Sequence, residues 1–423
     1  MMPKMPKPIE PTLFTLALGL SAPWEVVAVE FDPVKGRIDF ELAFRRGAKF
    51  ACPTCGAEGQ PVHDTLPRNW RHLNFFQYEA YLHANVPRTK CGVCGKVHQV
   101  PVPWARPNSG FTLLFEALGL TLCKVLPVNT TAQHLAVGDD ALWNILHRYV
   151  EQARALEDFS TVRRVGIDET ASRRGHNYVT FAHDMDARRL LFGCEGRDQT
   201  TVQAFADDLK AHGGDAEKVT DASIDMSKAY IAGVGKHLPN AEITFDPFHV
   251  IQLANQALEE VRREEVRHQP LLKGSRWVWL KDESKWTETQ AELFQSLSSA
   301  RLQTTRAWRL KESLRELFQT ASNAEEAGTL LDAWHSWARR SRLEPFKRLA
   351  NTLKEHRPGI LRGFDSKLSN GYVEGFNSLV QAAKAKARGY RRPKNLIAIA
   401  YLLGAKLAHL PASPFNTRCC VAA

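Results

Sequence analysis

Between residues 162 and 250 the apolar pattern changes period in an order that few folds satisfy. Val162 to Ile167, Tyr178 to His183 and Leu190 to Cys194 are strand-like runs, and the last two join across residues 184–187 as a hairpin. Thr200 to His212 then carries Val202, Phe205, Ala206 and Leu209 at helical spacing. Val219 to Ile224 returns to a strand pattern, Lys228 to Leu238 to a helix, and Ile243 to Phe245 to a short strand with more helix behind it. An antiparallel meander continued by βαβ crossovers is the order of the ribonuclease H-like fold, so an α/β core of that class is expected.

Acids sit where this order would put chemistry. Asp168 follows the first run and Asp225 follows Val219 to Ile224, so both carboxylates are expected at strand ends. Glu374 lies in SNGYVEGFNSLVQAAKAK, where Phe376, Leu379, Val380 and Ala383 form one apolar helical face and Glu374, Asn377, Ser378 and Gln381 the polar one. Two strand ends and a helix can bring three hard oxygen donors around a pair of magnesium ions. Such ions, about 3.5 to 4 Å apart, bind the attacking and leaving oxygens of a phosphodiester. The triplet thus points to a nuclease-type centre, with manganese an acceptable substitute.

The phrases GIDET (166–170), RRGHNYVT (173–180), DMSKAY (225–230), FDPFHVIQLANQALEEVRRE (245–264) and SNGYVEGFNSLVQAAKAKARGYR are strung along the chain in this order. Together they resemble the ISL-three family of bacterial insertion-sequence transposases, over roughly residues 25 to 405. The resemblance implies that Asp168, Asp225 and Glu374 are a catalytic DDE triad. It also implies a DNA transposase that binds its element's terminal repeats, hydrolyses a phosphodiester and uses the exposed 3′-hydroxyl to attack target DNA. Asp246 and His249, in DPFH, resemble an accessory motif of several DDE groups; equally, Asp246 before Pro247 reads as a helix N-cap.

Residues 226–373 exceed what the last elements of such a core need. Leu253 to Arg267, Glu288 to Arg301, Thr305 to Phe318, Ala324 to Ser341 and Pro345 to Glu355 read as helices. An all-helical insertion is expected over 251–365, with the six tryptophans from Trp277 to Trp337 mostly in its core. Fifty-six Lys and Arg against 46 Asp and Glu leave a net charge of +10, which favours a polyanionic partner. Lys384, Lys386, Arg388, Arg391, Arg392 and Lys394 follow Glu374 with no acid among them and are candidate phosphate contacts.

In the amino-terminal third, Cys52, Cys55, Cys91 and Cys94 form CPTC and CGVC, each followed by glycine. Paired knuckles of this kind suit tetrahedral thiolate coordination of a structural zinc ion. The expected setting is a small β-rich module that contains a strand at residues 76–83 and a Val26 to Phe31/Arg37 to Phe44 hairpin. His63, His72, His83 and His98 could substitute for a cysteine as ligands, and Cys123, Cys194, Cys419 and Cys420 have no paired spacing. Phe111 to Leu126, Thr131 to Val137 and Ala141 to Tyr149 read as helices, the last two as a helix-turn-helix. Its second helix would turn Trp143, Asn144, His147 and Arg148 outward to a major groove.

The expected division is 1–105 zinc module, 106–155 helix-turn-helix, 156–250 with 366–410 catalytic core, and 251–365 insertion. Lys4 and Lys7 before Leu13 to Leu20 mimic a secretory signal. The run is short, Glu10 intrudes and no cleavage site is clear, so a cytoplasmic, nucleoid-associated protein is expected, without a membrane span. Double-stranded DNA is the expected partner, and two ends must be joined, so the chain should act at least as a dimer. Two other readings share these features: a catalytically silent zinc and helix-turn-helix regulator, and a magnesium nuclease without strand transfer.

Overall fold

The computed structural model describes residues 11–173, 175, 177–366, 368 and 371–415. Lys4, Lys7, Glu10, Arg174, His176, Asn370, Cys419 and Cys420 lie outside that set. The described residues divide into two compact units, one of residues 11–149 with 410–415 and one within 150–409.

The first unit begins with a short helix, α1 (Pro11–Ala17), and a five-stranded sheet: β1 (Trp24–Asp32), β2 (Arg37–Phe44), β3 (Val62–Arg71), β4 (Glu79–Lys90) and β5 (Val97–Gln99). The spatial order is β1-β2-β4-β3, with β5 also paired to β4. The expected β1/β2 hairpin is present, and its turn is held by the Asp32 carboxylate, which accepts from the backbone N–H groups of Val34 and Lys35 at 3.1 and 2.9 Å. Alternating Ile38, Phe40, Leu42 and Ala80, Leu82, Ala84, Val86 bury one face. Trp24, Trp70 and Trp104 close over it edge to face, with ring centroids 4.8 and 5.5 Å apart. The strand expected at 76–83 starts three residues later, at Glu79, because Phe76 adopts a left-handed turn conformation with φ 53°. Three helices follow, α2 (Leu113–Cys123), α3 (Val128–His134) and α4 (Asp139–Arg154).

The second unit is built on β6 (Arg164–Arg173), β7 (Asn177–Asp184), β8 (Arg189–Glu195), β9 (Asp221–Ile224) and β10 (Glu242–Phe245), in the order β10-β9-β6-β7-β8. Strands β6 to β8 form the antiparallel meander, and β9 and β10 add in parallel. Helices α5 (Gln199–Ala211) and α6 (Lys228–His237) make the crossovers, as their 3.6-residue spacing requires. β6 is longer than the sequence indicates. It does not stop at Asp168, because β7 continues to pair with it as far as Arg173, whereas its pairing with β9 ends at Gly166.

After β10 the chain is helical: α7 (Pro247–Glu265), α8 (Arg276–Leu280), α9 (Glu288–Ser298), α10 (Gln303–Thr320), α11 (Ala324–Arg340), α12 (Glu344–Glu355) and α13 (Arg357–Ser366). α7 begins six residues before the expected Leu253, at a Pro in its first turn. α10 and α12 pack along α7, and α13 packs on β10, so the helices share one apolar core with the sheet. Trp279 and Trp334 are buried with their indole N–H groups donating to Ser275 Oγ and the Leu310 carbonyl at 2.9 and 2.8 Å. Trp286 and Trp308 flank Phe294 at 4.7 and 4.6 Å, which leaves Trp277 and Trp337 exposed. α14 (Gly371–Lys386) and α15 (Pro393–Gly404) complete the unit, α14 lying on β6 and α15 on β8.

α14 buries Val373, Phe376 and Val380; Leu379, expected on that face, is 47% exposed. Gly166 allows the approach: a Cβ there would lie 2.5 Å from Met185 Sδ and 3.0 Å from Val373 Cγ2. Under this helix the His183 ring is fully buried between Tyr372 and Phe376, with neither nitrogen hydrogen-bonded, and burial pushes its pKa down to about 3. Between that value and the ordinary one near 6.5 the unfolded chain binds a proton that the folded chain rejects. Stability should therefore fall as pH drops through this window. His183→Leu should remove that acid-sensitive contribution and raise stability at pH 7 by about 1–3 kcal/mol, measured by urea unfolding at pH 5 and pH 7. A variant less stable at both values would contradict this account.

Candidate active site

The parallel register brings the acids into one row. Arg164, Val165 and Gly166 pair with Asp221, Ala222 and Ser223, and residues Asp221 to Ile224 pair with Glu242 to Phe245. Continued by one step, the same register sets Asp225 level with Asp246, and two steps beyond Gly166 it sets Asp168 level with Asp225. Asp225 and Asp246 thus stand just past the carboxyl ends of β9 and β10, level with Asp168 in the middle of β6, where the pairing of β6 with β9 has already ended. Open α/β sheets hold their sites at this edge.

Along β6, Gly166, Asp168 and Thr170 share the face that α14 covers. Asn377 on α14 donates its amide N–H to Asp168 Oδ2 at 2.7 Å, and Gln381 donates to Thr170 Oγ1 at 2.6 Å. Glu374, one turn earlier on the same helix, faces Asp168, Asp246 and His249 closely enough to feel their charges. Asp225 is held by its own loop, where its Oδ1 accepts from the Ser227 backbone N–H at 2.9 Å. Asp246 caps α7, accepting from the Phe248 N–H at 2.8 Å. The cap and a place in the acid row are therefore both true of this residue. His249 stands on the first turn of α7 with its Nε2 buried and without a hydrogen-bond partner.

Burial raises the pKa of Asp168, and the Asp225 charge adds to it, against His249, the Glu169 backbone N–H and Asn377. Burial likewise raises Asp246, and burial followed by the Asp246 and Asp168 charges raises Glu374. Among the described residues no lysine or arginine forms an ion pair with any of these acids. Crowded, partly desolvated carboxylates without a cationic partner are a donor set that fits a hard divalent cation, which would supply the missing positive charge. Their oxygens are not gathered as tightly as the thiolates described below: among the described residues, only the four cysteines place all ligand atoms within 4.8 Å of one another.

Sequence reasoning missed three residues here. Asn377 and Gln381 were placed on the polar face without a role, although their i+3 and i+7 spacing from Glu374 puts them on one stripe of α14. Glu169 points from β6 to the opposite face, where burial first, then the Asp225 and Asp168 charges, lift its pKa to about 7. Its Oε2 is buried without a partner, and its Oε1 lies 4.0 Å from Arg197. Nothing in the sequence around GIDET distinguishes a buried glutamate from an exposed one.

The basic run straddles the end of α14. Lys384 and Lys386 lie in the helix, and the Lys384 ammonium donates to the Ala171 carbonyl at 2.5 Å. Arg388, Arg391, Arg392 and Lys394 are exposed beyond it, and Arg173 donates to the Arg391 carbonyl.

In the first unit, the Cys52 and Cys94 sulfurs are 3.9 Å apart and those of Cys55 and Cys91 3.5 Å. A tetrahedral zinc site with bonds of about 2.3 Å needs sulfurs about 3.8 Å apart, so the quartet fits zinc. Each knuckle closes through a left-handed glycine, Gly56 at φ 71° and Gly95 at φ 69°, whose N–H donates back to Cys52 or Cys91. The backbone N–H groups of Cys94 and Val93 point at Cys91 Sγ and draw that thiol down to about 6, which favours the thiolate. His98 Nε2 stands outside the quartet, 4.0 Å from Cys94 Sγ. His72 is engaged with Thr112 and His83 with Asp39.

α3 and α4 form the expected helix-turn-helix pair: Leu142, Ile145, Leu146 and Tyr149 are buried, Asn144 is exposed, and Trp143, His147 and Arg148 are half-buried. The Trp143 and His147 rings lie 5.8 Å apart. Among the described residues no helix is long and apolar enough to cross a membrane.

Comparison with known proteins gives three successive matches. Residues 48–94 match the zinc-finger of transposase IS204/IS1001/IS1096/IS1165, residues 100–150 the helix-turn-helix domain of transposase family ISL3, and residues 165–400 that family's transposase domain. The transposase for insertion sequence element IS1557 of Mycobacterium tuberculosis is 31% identical, over 95% of this chain and 97% of the relative. The transposase for IS1001 of Bordetella parapertussis is 27% identical over 80% and 85%.

Proposed function

The chain belongs to the ISL3 family of insertion-sequence transposases, and from that premise we propose that Asp168, Asp225 and Glu374 are its catalytic acids and hold two magnesium ions, or manganese in their place. As a DNA transposase it cuts and transfers DNA, and it carries a DNA-binding helix-turn-helix and a structural zinc ribbon. The observation that carries the proposal is the row formed by Asp168 in mid-β6 and by Asp225 and Asp246 just past the ends of β9 and β10, with Glu374 facing it from α14.

The core, 156–250 with 366–410, is read as ribonuclease H-like, and 251–365 as a helical insertion. The sheet order and the run of helices α7 to α13 support both readings. When bound, the ions would polarise the phosphodiester and stabilise charge on its attacking and leaving oxygens. The chain's own groups do the positioning. Asn377 fixes the rotamer of Asp168, the Ser227 N–H fixes Asp225, and the Asp246 cap fixes the start of α7 and so His249. His249 Nε2, buried and without a hydrogen-bond partner, is suited to hold a neighbouring carboxylate or a phosphate oxygen brought against it. The reaction exposes a 3′-hydroxyl at the element end, which then attacks a target phosphodiester.

Trp143, Asn144, His147 and Arg148 are assigned to recognition of the terminal repeat, and the basic residues around the end of α14 to phosphates near the cut. Replacing Arg391 and Arg392 with alanine should weaken binding to any duplex alike. It should also flatten the dependence of log K on log salt by about 1–2, measured by fluorescence anisotropy between 50 and 200 mM salt. An unchanged slope would remove this pair from the interface. Joining two ends calls for at least a dimer at the moment of reaction, in the bacterial cytoplasm on the nucleoid.

The test is incubation of the zinc-loaded chain with labelled terminal-repeat DNA and a supercoiled target, with and without magnesium. Magnesium-dependent joined products would support the proposal. Cleavage without joining would make the centre a nuclease, and end binding without cleavage a silent regulator.

A further inference from the structure

Beside the acid row lies an open cavity of about 500 Å³, whose Ile251 and Leu280 pack against the core while Phe248 does not. Phe248 is 53% exposed, yet it sits in the first turn of α7 with its N–H held by Asp246. Its ring meets the His249 ring edge to face, with centroids 5.6 Å apart, and His249 in turn faces Asp168, Asp246 and Glu374. Ile251 and Leu280 continue the apolar wall, and Lys281, Lys285 and Arg315 stand on the same lining. Arg315 is taken up by Asp282 and Glu312, at 3.2 and 2.9 Å. Lys281 makes one long contact with Gln290, 3.5 Å, and Lys285 is exposed. A flat apolar platform with two lysines beside it matches one ligand chemistry: an aromatic ring that carries a phosphate on each side.

We propose that Phe248 is a stacking platform for an unpaired DNA base next to the cut phosphate, with Lys281 and Lys285 meeting that nucleotide's phosphates. This rests on the acid row being the cutting centre. Stacking on an aromatic face tolerates any base, so the platform would hold the frayed end without adding sequence preference. It would also act before chemistry, by keeping the terminal nucleotide out of the duplex.

The test uses binding alone, with EDTA added after zinc loading has been verified and kept too brief to strip it. The zinc-loaded chain is titrated with a blunt duplex and with the same duplex ending in a three-nucleotide overhang whose first unpaired base is 2-aminopurine. Wild type should prefer the overhang and change the 2-aminopurine emission. Phe248→Ala should lose about 5- to 100-fold of overhang affinity with blunt-duplex affinity and melting temperature unchanged, and Phe248→Trp should restore the preference. Absence of overhang preference in wild type, or its survival in Phe248→Ala, would overturn the proposal. The binding readout does not depend on cleavage: a chain that stacks the base but never cuts with magnesium would sink the catalytic reading and overturn the placing of the base next to a cut, whereas a chain that cuts without overhang preference would sink the platform alone.

Discussion

Asp225→Ala should lower magnesium-supported cleavage of terminal DNA by about a thousandfold or more, while leaving end binding and melting temperature close to wild type. The size follows from the several kcal/mol that a metal contributes to the transition state of phosphoryl transfer, each 1.4 kcal/mol being tenfold in rate. Folding should survive, because Asp225 makes one local hydrogen bond, to the Ser227 N–H, and lies outside the apolar core. The informative comparison is Asp246→Ala. That residue shares the acid row but is also the cap of α7, so its loss should cost about 1 kcal/mol of stability and a smaller factor in rate. Equal rate losses from the two substitutions, with both proteins folded, would promote Asp246 to a metal ligand and overturn the order argued above.

Loss of zinc should be the largest effect on the first unit. The knuckle of Cys52 and Cys55 hangs from Phe50, and that of Cys91 and Cys94 joins β4 to β5; apart from the metal, Gln60 is one of the few groups linking them, accepting the Gly92 N–H at 2.9 Å. An ion bound a thousandfold above its Kd contributes about 4 kcal/mol, so its removal should open the module well below the wild-type melting temperature. Hydrogen exchange followed by mass spectrometry checks this by location. In Cys91→Ser, or after exhaustive chelation, residues 48–99 should lose protection while β6 to β8 keep theirs. One zinc per chain retained in Cys91→Ser, or unchanged protection on chelation, would contradict the assignment.

The sequence carried period well and register poorly. β7, β8, α5, α6 and α11 stand within a residue or two of where their apolar spacing puts them, since each buries one regular stripe or run. β3 was missed because VHDTLPRNWR is polar and contains Pro67; it survives as an edge strand paired only to β4, where a missing N–H is tolerated. α13 was missed because Pro358, Gly359 and Gly363 are poor helix formers, and packing on β10 overrides them. The candidate acids could be listed from their places after apolar runs. That Asp168, Asp225 and Asp246 fall level with one another depends on the pairing of β6, β9 and β10, which no local pattern encodes. The same holds for Asn377 and Glu169, whose partner and burial come from α14 and α6 being laid on the sheet.

The central claim is that these acids hold catalytic metal, and the most direct measurement is manganese binding to the DNA-bound chain, followed by electron paramagnetic resonance. Wild type should bind manganese that magnesium displaces, and the combined Asp168→Asn, Asp225→Asn, Glu374→Gln variant should lose it while remaining folded and bound to DNA. Unchanged manganese binding in that variant would mean that the metal, and with it the chemistry, lies elsewhere.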